Sequence, residues 1–229
     1  MAGQGRARPG GVRARTRALL LDAAVRVFAR KGASAPAIHE IAAEAGVANG
    51  TFYNYFRTRE ELVEAASVRL AERFDAEIAA SVTRVDDPAE RVAIGSRRLV
   101  LHAMRDPTWA AAILRVWASS PVLKVHTATG LLADLRAGRR RGHLRFPSEQ
   151  AAVDLVQGAV LSGMRTVLEG RGGERHASNV AALVLRGLGI DPAAANEIAG
   201  RPLPPLAPAA VDGTERTRRT CAPRRGPLS

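Results

Sequence analysis

The chain has 229 residues, 46% of them apolar and 24% charged, enough to fold into one or two domains with a proper core. No apolar run reaches the roughly 18 to 20 residues of a membrane helix. The single cysteine, Cys221, excludes an internal disulfide framework and cysteine-based zinc, and the net charge of +12 favours an anionic partner.

The start of the chain is basic, but Asp22 and Arg26 interrupt the apolar stretch and no small-residue cleavage site follows, so no secretory signal and a cytoplasmic location are expected. Residues 1–17 carry five arginines and no acid, and residues 201–229 carry six arginines against Asp212 and Glu215, which leaves only +3 for residues 18–200. Nucleic acid is one reading of these ends. Solubilising tails in a chain with 32 Arg and 2 Lys are another, and charge alone does not separate them.

Helical patterns follow one another along the chain, and no strand pattern competes with them. From Thr16 to Lys31, Ala18, Leu21, Ala24, Val25 and Phe28 form the stripe of an amphipathic helix, which Gly32 stops. Ser34 or Ala35 suits the cap of a second, short helix, with Pro36 in its first turn and Ile38, Ile41, Ala42 and Ala45 inward. Gly46 then supplies a left-handed turn. Val47 opens a third short helix through Phe56, and Thr58 caps a fourth, whose Glu61 completes a capping box and which runs to about Ser81. Further helices are expected near 88–105, 107–119, 121–138, 148–169, 174–188 and 192–199, with a glycine- and charge-rich connection over 137–148. From Arg201 on, the proline- and arginine-rich composition predicts a disordered tail.

The segment "GVANGTFYNYFRTREEL" (46–62) concentrates four of the chain's nine aromatic residues. Two short helices joined at Gly46 make a helix-turn-helix pattern in "IHEIAAEAGVANGTFYNYF". Ile38, Ile41 and Ala42 with Val47, Phe52 and Phe56 form its apolar interior. Ala48, Asn49, Gly50, Thr51, Tyr53, Asn54 and Tyr55 then point outward, offering amide, hydroxyl and phenol groups suited to base edges and phosphates. Gly50 lets the helix backbone approach a duplex.

Together with "IHEIAAEA" and a first helix ending in "FARKG", this segment resembles the DNA-binding domain of TetR-family transcriptional regulators over residues 14–74. The resemblance implies an all-α protein: a flexible basic arm over 1–13, a helix-turn-helix domain over 14–74 with the motif at 37–56, a helical ligand-binding and dimerisation domain over 75–200, and a tail over 201–229. It places Tyr53, Tyr55 and Arg59 on phosphates and Asn49, Gly50, Thr51 and Asn54 at the bases. Three positions depart from the family pattern. Ala37 stands where threonine often touches phosphate, Ala48-Asn49 replaces Ser-Lys, and Arg57 stands where proline is common and returns a positive charge. The resemblance further implies a homodimer through the helices near 148–169 and 174–188, a double-stranded DNA operator, and a small-molecule effector that releases a repressor from it. The small residues Ala151, Ala152, Gly158, Ala159, Ser162 and Gly163 on one helix and Ala177, Ala181 and Ala182 on the other, with Leu185, suit either a dimer bundle or packing within one chain.

In the second domain, Met104, Trp109, Trp117, Phe146 and Met164 either line a ligand cavity or fill a core, and His102 and His126 either face that cavity or sit on a helix face. Arg97, Arg98 and Arg165 suit an anionic ligand or solvent. "HEIAA" lacks the second histidine of a metalloprotease helix, since Ala43 stands there, so neither a metal nor a cofactor is expected. Two other functions stand beside the regulator: a helix-turn-helix module for protein assembly, or DNA binding without a ligand. An enzyme would need a catalytic constellation, and none is visible.

Overall fold

The computed structural model describes residues 9–31 and 37–205. Expectations for Arg6, Arg8, Gly32, Ser34, Ala35, Pro36, Cys221 and the tail from residue 206 therefore lie outside the described residues. Those described form ten helices and no strand: α1 (Pro9–Lys31), α2 (Ile38–Glu44), α3 (Asn49–Phe52), α4 (Arg59–Val82), α5 (Pro88–Arg105), α6 (Pro107–Val116), α7 (Pro121–Arg140), α8 (Glu149–Leu168), α9 (Glu174–Gly187) and α10 (Pro192–Gly200).

Local chemistry sets most of these boundaries. Proline opens α5, α6, α7 and α10, where its missing N–H costs nothing. Ahead of each, a side-chain oxygen of Asp87, Asp106, Ser120 or Asp191 accepts a first-turn N–H, a cap that contributes about 1 kcal/mol. Ser148 does the same for α8.

Helix α1 begins at Pro9, seven residues before the apolar stripe, so part of the expected flexible arm continues the helix. Its Leu20, Leu21, Ala24, Val27 and Phe28 are buried with Ile41, Phe52, Phe56, Leu62 and Ala66, which forms the core of the N-terminal unit. Charges bind the surface of that unit: Glu44 accepts from Arg26 and Arg30 at 2.6 Å each, and Lys31 pairs with Glu40.

Helix α4 runs from this unit into the second. Its 24 residues span about 36 Å at 1.5 Å per residue. Leu62 and Ala66 are buried near one end, Leu70 and Ala71 mid-helix and Val82 at the other. Arg69 on α4 pairs with Asp22 on α1 at 3.0 Å, and α6 packs along α1, so the two units share a continuous core.

The second unit wraps α4 to α9 around Val92, Val100, Ile113, Leu123, Leu135, Val160 and Met164. Helix α8 has the length and apolar composition of a membrane span, but Val153, Val156, Val160 and Met164 are packed inside the bundle. Residues 201–205, expected in the tail, are anchored. Arg201 pairs with Glu90 and Glu197, Arg97 donates to the Arg201 carbonyl, and Arg98 donates to the Pro204 carbonyl. Those two arginines therefore serve the chain's own backbone, while Arg165 is exposed.

Candidate nucleic-acid interface and interior cavity

Helix α2 ends in a Schellman turn. Gly46, at φ 69°, donates to the Ala43 carbonyl at 3.1 Å, and Val47 donates to that of Ala42 at 3.0 Å. This turn sets the start of the recognition segment. Ala48 caps α3, which is one turn long. The chain then continues to Phe56 through the bonds Asn54 N–H to Thr51, Tyr55 N–H to Phe52 and Phe56 N–H to Phe52. The expected helix through Phe56 is thus one α-helical turn followed by tighter turns.

Phe52 and Phe56 are fully buried, their ring centroids 5.7 Å apart, and they fasten the segment to the core. Ala48, Asn49, Gly50, Tyr53 and Asn54 are exposed, while Thr51 and Tyr55 are half-buried. A side chain added at Gly50 would meet nothing within 4 Å, so no packing inside the protein requires glycine there.

Cations surround this face. Arg57 is exposed, and its backbone N–H donates to the Glu61 carboxylate at 2.7 Å while Glu61 N–H donates to Thr58. Arg59 opens α4, half-buried, with Glu60 at 4.0 Å. From α1, Arg13 donates to the Asn54 carbonyl at 3.3 Å and lies 6.0 Å from the Tyr55 ring, and Arg17 lies over Phe56. The composition signalled a basic arm, but only the helical extension of α1 brings Arg13 onto the recognition segment, one turn before Arg17. Ala37 offers no side-chain contact, and its backbone N–H is occupied by the Glu40 carboxylate at 3.2 Å.

A cavity of about 410 Å³ lies within the second unit, between α4, α5, α6, α7 and α8. Trp109, Trp117, His126 and Met164 line it. His102, Met104 and Phe146 do not: His102 stacks edge-on behind Trp109 at 4.6 Å, Met104 points outward from α5, and Phe146 lies under Arg139. The walls are mostly apolar, with Leu70, Ile78, Leu99, Ile113, Val160 and Leu161.

Two polar stations interrupt those walls, and of their four residues only His126 was expected there. Asp75 on α4 meets His126 on α7 at 2.9 Å, and Asp134 on α7 meets Arg91 on α5 at 2.6 Å. Burial raises both carboxyl groups above the ordinary aspartate range, with His126 and Arg91 respectively opposing the rise. Arg91 also donates to the Val82 carbonyl at 3.0 Å, at the end of α4. Each aspartate occupies an apolar-spaced position, Asp75 between Ala71 and Ile78 and Asp134 between Leu131 and Leu135, and that misplacement was the available signal.

Residues 20–66 match the family described as "Bacterial regulatory proteins, tetR family", and residues 87–201, half of the chain, match the "Tetracyclin repressor-like, C-terminal domain". The chain belongs to the TetR family. That family is one of bacterial regulatory proteins, and the curated relatives are transcriptional regulators, a class that is not enzymatic.

Among solved structures, RolR in complex with resorcinol is 31% identical with a TM-score of 0.67, covering 86% of this chain and all of that one. A Bacillus subtilis FadR bound to stearoyl-CoA, 20% identical with a TM-score of 0.62 over 74% of this chain and 98% of that one, shares the fold. Among curated relatives, an HTH-type regulator of Mycobacterium tuberculosis is 37% identical over 93 residues, 41% of this chain and 46% of that protein. The nicotine-responsive repressor HdnoR of Paenarthrobacter nicotinovorans is 31% identical over 94 residues, 41% and 44%. The chain thus spans under half the length of the curated relatives it matches.

Proposed function

We propose that this TetR-family protein is a homodimeric repressor released from a palindromic operator when a small molecule occupies the cavity between α4 and α8. The observation that carries this reading is α4 itself. One continuous helix opens with Arg59 beside the recognition segment and supplies Asp75 and Ile78 to the cavity wall. A ligand that shifts α4 changes the separation of two recognition segments, which must match half-sites about 34 Å apart or a multiple of it. By linkage, operator binding opposes the ligand to the same degree.

At the operator, Asn49, Thr51 and Asn54 read bases, while Tyr53, Tyr55, Arg57 and Arg59 hold phosphates, with Ala48 and Gly50 allowing the backbone close. Dimerisation uses the outward faces of α8 and α9, where Ala151, Leu155, Gly158 and Ser162 on α8 and Leu183 on α9 are exposed. On α9, Ala177, Ala181, Ala182 and Leu185 are already buried within the chain, so its outward contribution is Leu183 and its neighbours.

That RolR binds resorcinol and HdnoR responds to nicotine supports a compact ring compound as the effector. The test is fluorescence anisotropy of the protein on DNA upstream of its own gene, titrated with resorcinol and related ring compounds. Release by one such compound is expected. Operator affinity unmoved by every compound that enters the cavity would contradict the effector reading and leave a ligand-independent DNA-binding protein.

A further inference from the structure

The effector cavity holds ionisable groups, and each is already engaged. Arg91 uses Nε on Asp134 and Nη1 on the carbonyls of Val82 and Val85. Asp134 thereby has its counter-ion, Asp75 has His126, and Gln157 donates to Thr127 at 3.1 Å. Among the described lining residues the one arginine, Arg91, already faces Asp134, so an anionic ligand would have to draw it from that carboxylate, and a cationic one would have to take a carboxylate from its partner. Burying a charge without a partner is strongly unfavourable. A hydroxyl group meets no such obstacle, because it donates and accepts at once. Placed between Asp75 and His126, it would donate to the carboxylate and accept from the ring N–H.

The place of that pair on α4 gives it leverage. Helix α7 grips α4 twice, at Asp75 through His126 and at the Val82 end through Asp134 and Arg91. Asp75 lies seven residues, about 10 Å, from the Val82 grip, while Arg59 lies about 34 Å from it. With the Val82 end as pivot, a displacement of about 1 Å at Asp75 becomes about 3 Å at Arg59 beside the recognition segment. The direct Asp75–His126 contact of 2.9 Å has no room for a third atom, so a bridging hydroxyl parts the two groups and releases this grip of α7 on α4.

We propose that the effector is a compact, uncharged molecule with an apolar ring and at least one hydroxyl group, and that this hydroxyl opens the Asp75–His126 contact to move α4. The proposal rests on the effector-released repressor reading above. It makes Asp75 and His126 the residues that hold the hydroxyl and carry the response, while the apolar walls hold the ring.

Trp109 and Trp117 both line the cavity, so intrinsic fluorescence reports occupancy independently of DNA. The probes are single-ring compounds, each in three forms: 4-ethylphenol, 4-ethylanisole and 4-ethylbenzoate, with the corresponding methyl and propyl series. The phenol of at least one series should quench fluorescence with an affinity at least tenfold above its ether and its carboxylate, and at saturation weaken operator binding at least tenfold. In Asp75→Asn and His126→Gln that phenol should lose its preference over the ether, and at a concentration that saturates each variant it should shift operator affinity by less than about threefold.

Preference for the carboxylate, or quenching by none of the phenols, overturns the ligand class. Equal operator shifts in the wild type and both variants overturn the latch while the repressor reading stands. A phenol that quenches the wild type without moving operator affinity brings down the repressor reading itself. Circular dichroism on the two conservative variants separates loss of response from loss of fold.

Discussion

Gly50→Ala separates stability from DNA binding at the centre of the recognition segment. Gly50 is the second residue of α3, is exposed, and does not adopt a positive φ. An added Cβ there meets no atom within 4 Å. Alanine is therefore free of clash and strain, and the lower entropy of its unfolded chain should stabilise the protein by about 0.4–1 kcal/mol. The same methyl would project from the face that carries Asn49, Tyr53 and Asn54. If the backbone meets the duplex there, that methyl forces the segment outward and lengthens its base contacts, each worth about 1–3 kcal/mol. Operator affinity should fall at least tenfold, about 1.4 kcal/mol, while the melting temperature rises or holds. Gly46→Ala is the contrast. It too has open space, but at φ 69° it is strained, so it should lose stability by about 1–2 kcal/mol before DNA enters the comparison. Anisotropy and thermal denaturation of the three proteins decide the matter. A Gly50→Ala protein that binds operator as tightly as the wild type would refute the placement of this backbone against DNA.

Tyr53→Phe, which removes a phenol from an exposed ring, should weaken binding to all duplexes alike, whereas Asn54→Ala should relax preference at particular base pairs by about 1–3 kcal/mol in a mutated-site binding series. Gly138→Ala places a Cβ 2.5 Å from Cγ of the buried Leu144, where α7 meets the connection to α8, and denaturant melts should show a loss of about 1–3 kcal/mol. Hydrogen bonds from Arg26 and Arg30 hold the Glu44 carboxyl below its ordinary range. The folded value thus lies below the unfolded value of about 4.3, so this contribution is complete above that pH and lost as pH falls through the lowered folded value. The melting-temperature gap between wild type and Glu44→Gln should therefore close on acidification across that window. Leu183→Asp, at a side chain 62% exposed in the single chain, should leave the helix content intact and convert the dimer to a monomer by light scattering.

Much of the fold was legible because its signals are local. Gly46 marked the turn of the motif, Thr58 the start of α4, and prolines at 88, 107, 121 and 192 the starts of four later helices. The alternation of Phe52 and Phe56 with Tyr53 and Asn54 separated buried from exposed positions without coordinates. The misses have physical causes as well. The first turns of α1 carry no apolar stripe, and Gly11 to Arg15 are exposed, so periodicity could not report their helix. Residues 201–205 are held through the backbone carbonyls of Arg201 and Pro204 as well as the Arg201 side chain, and carbonyl contacts leave no mark on composition.

The cavity was the least legible feature. Large side chains were the natural guess, and Trp109, Trp117 and Met164 do line it, but Met104 at the end of α5 faces outward and Phe146 lies in the connection before α8. The residues that give the cavity its chemistry are small or charged: Asp75, Arg91, Thr127 and Asp134. They come from three helices, and only the three-dimensional crossing of α4, α5 and α7 brings them together. A search for charges at apolar-spaced positions would have found both aspartates.

The most direct test of sequence-specific DNA binding is anisotropy of the full chain on DNA upstream of its own gene, against a scrambled fragment of equal length, at two salt concentrations. A preference for the upstream DNA that persists at the higher salt is the predicted result, since base contacts survive where counterion release weakens. Equal binding to both fragments that collapses with salt would contradict it, leaving the arginine-rich ends as simple phosphate contacts.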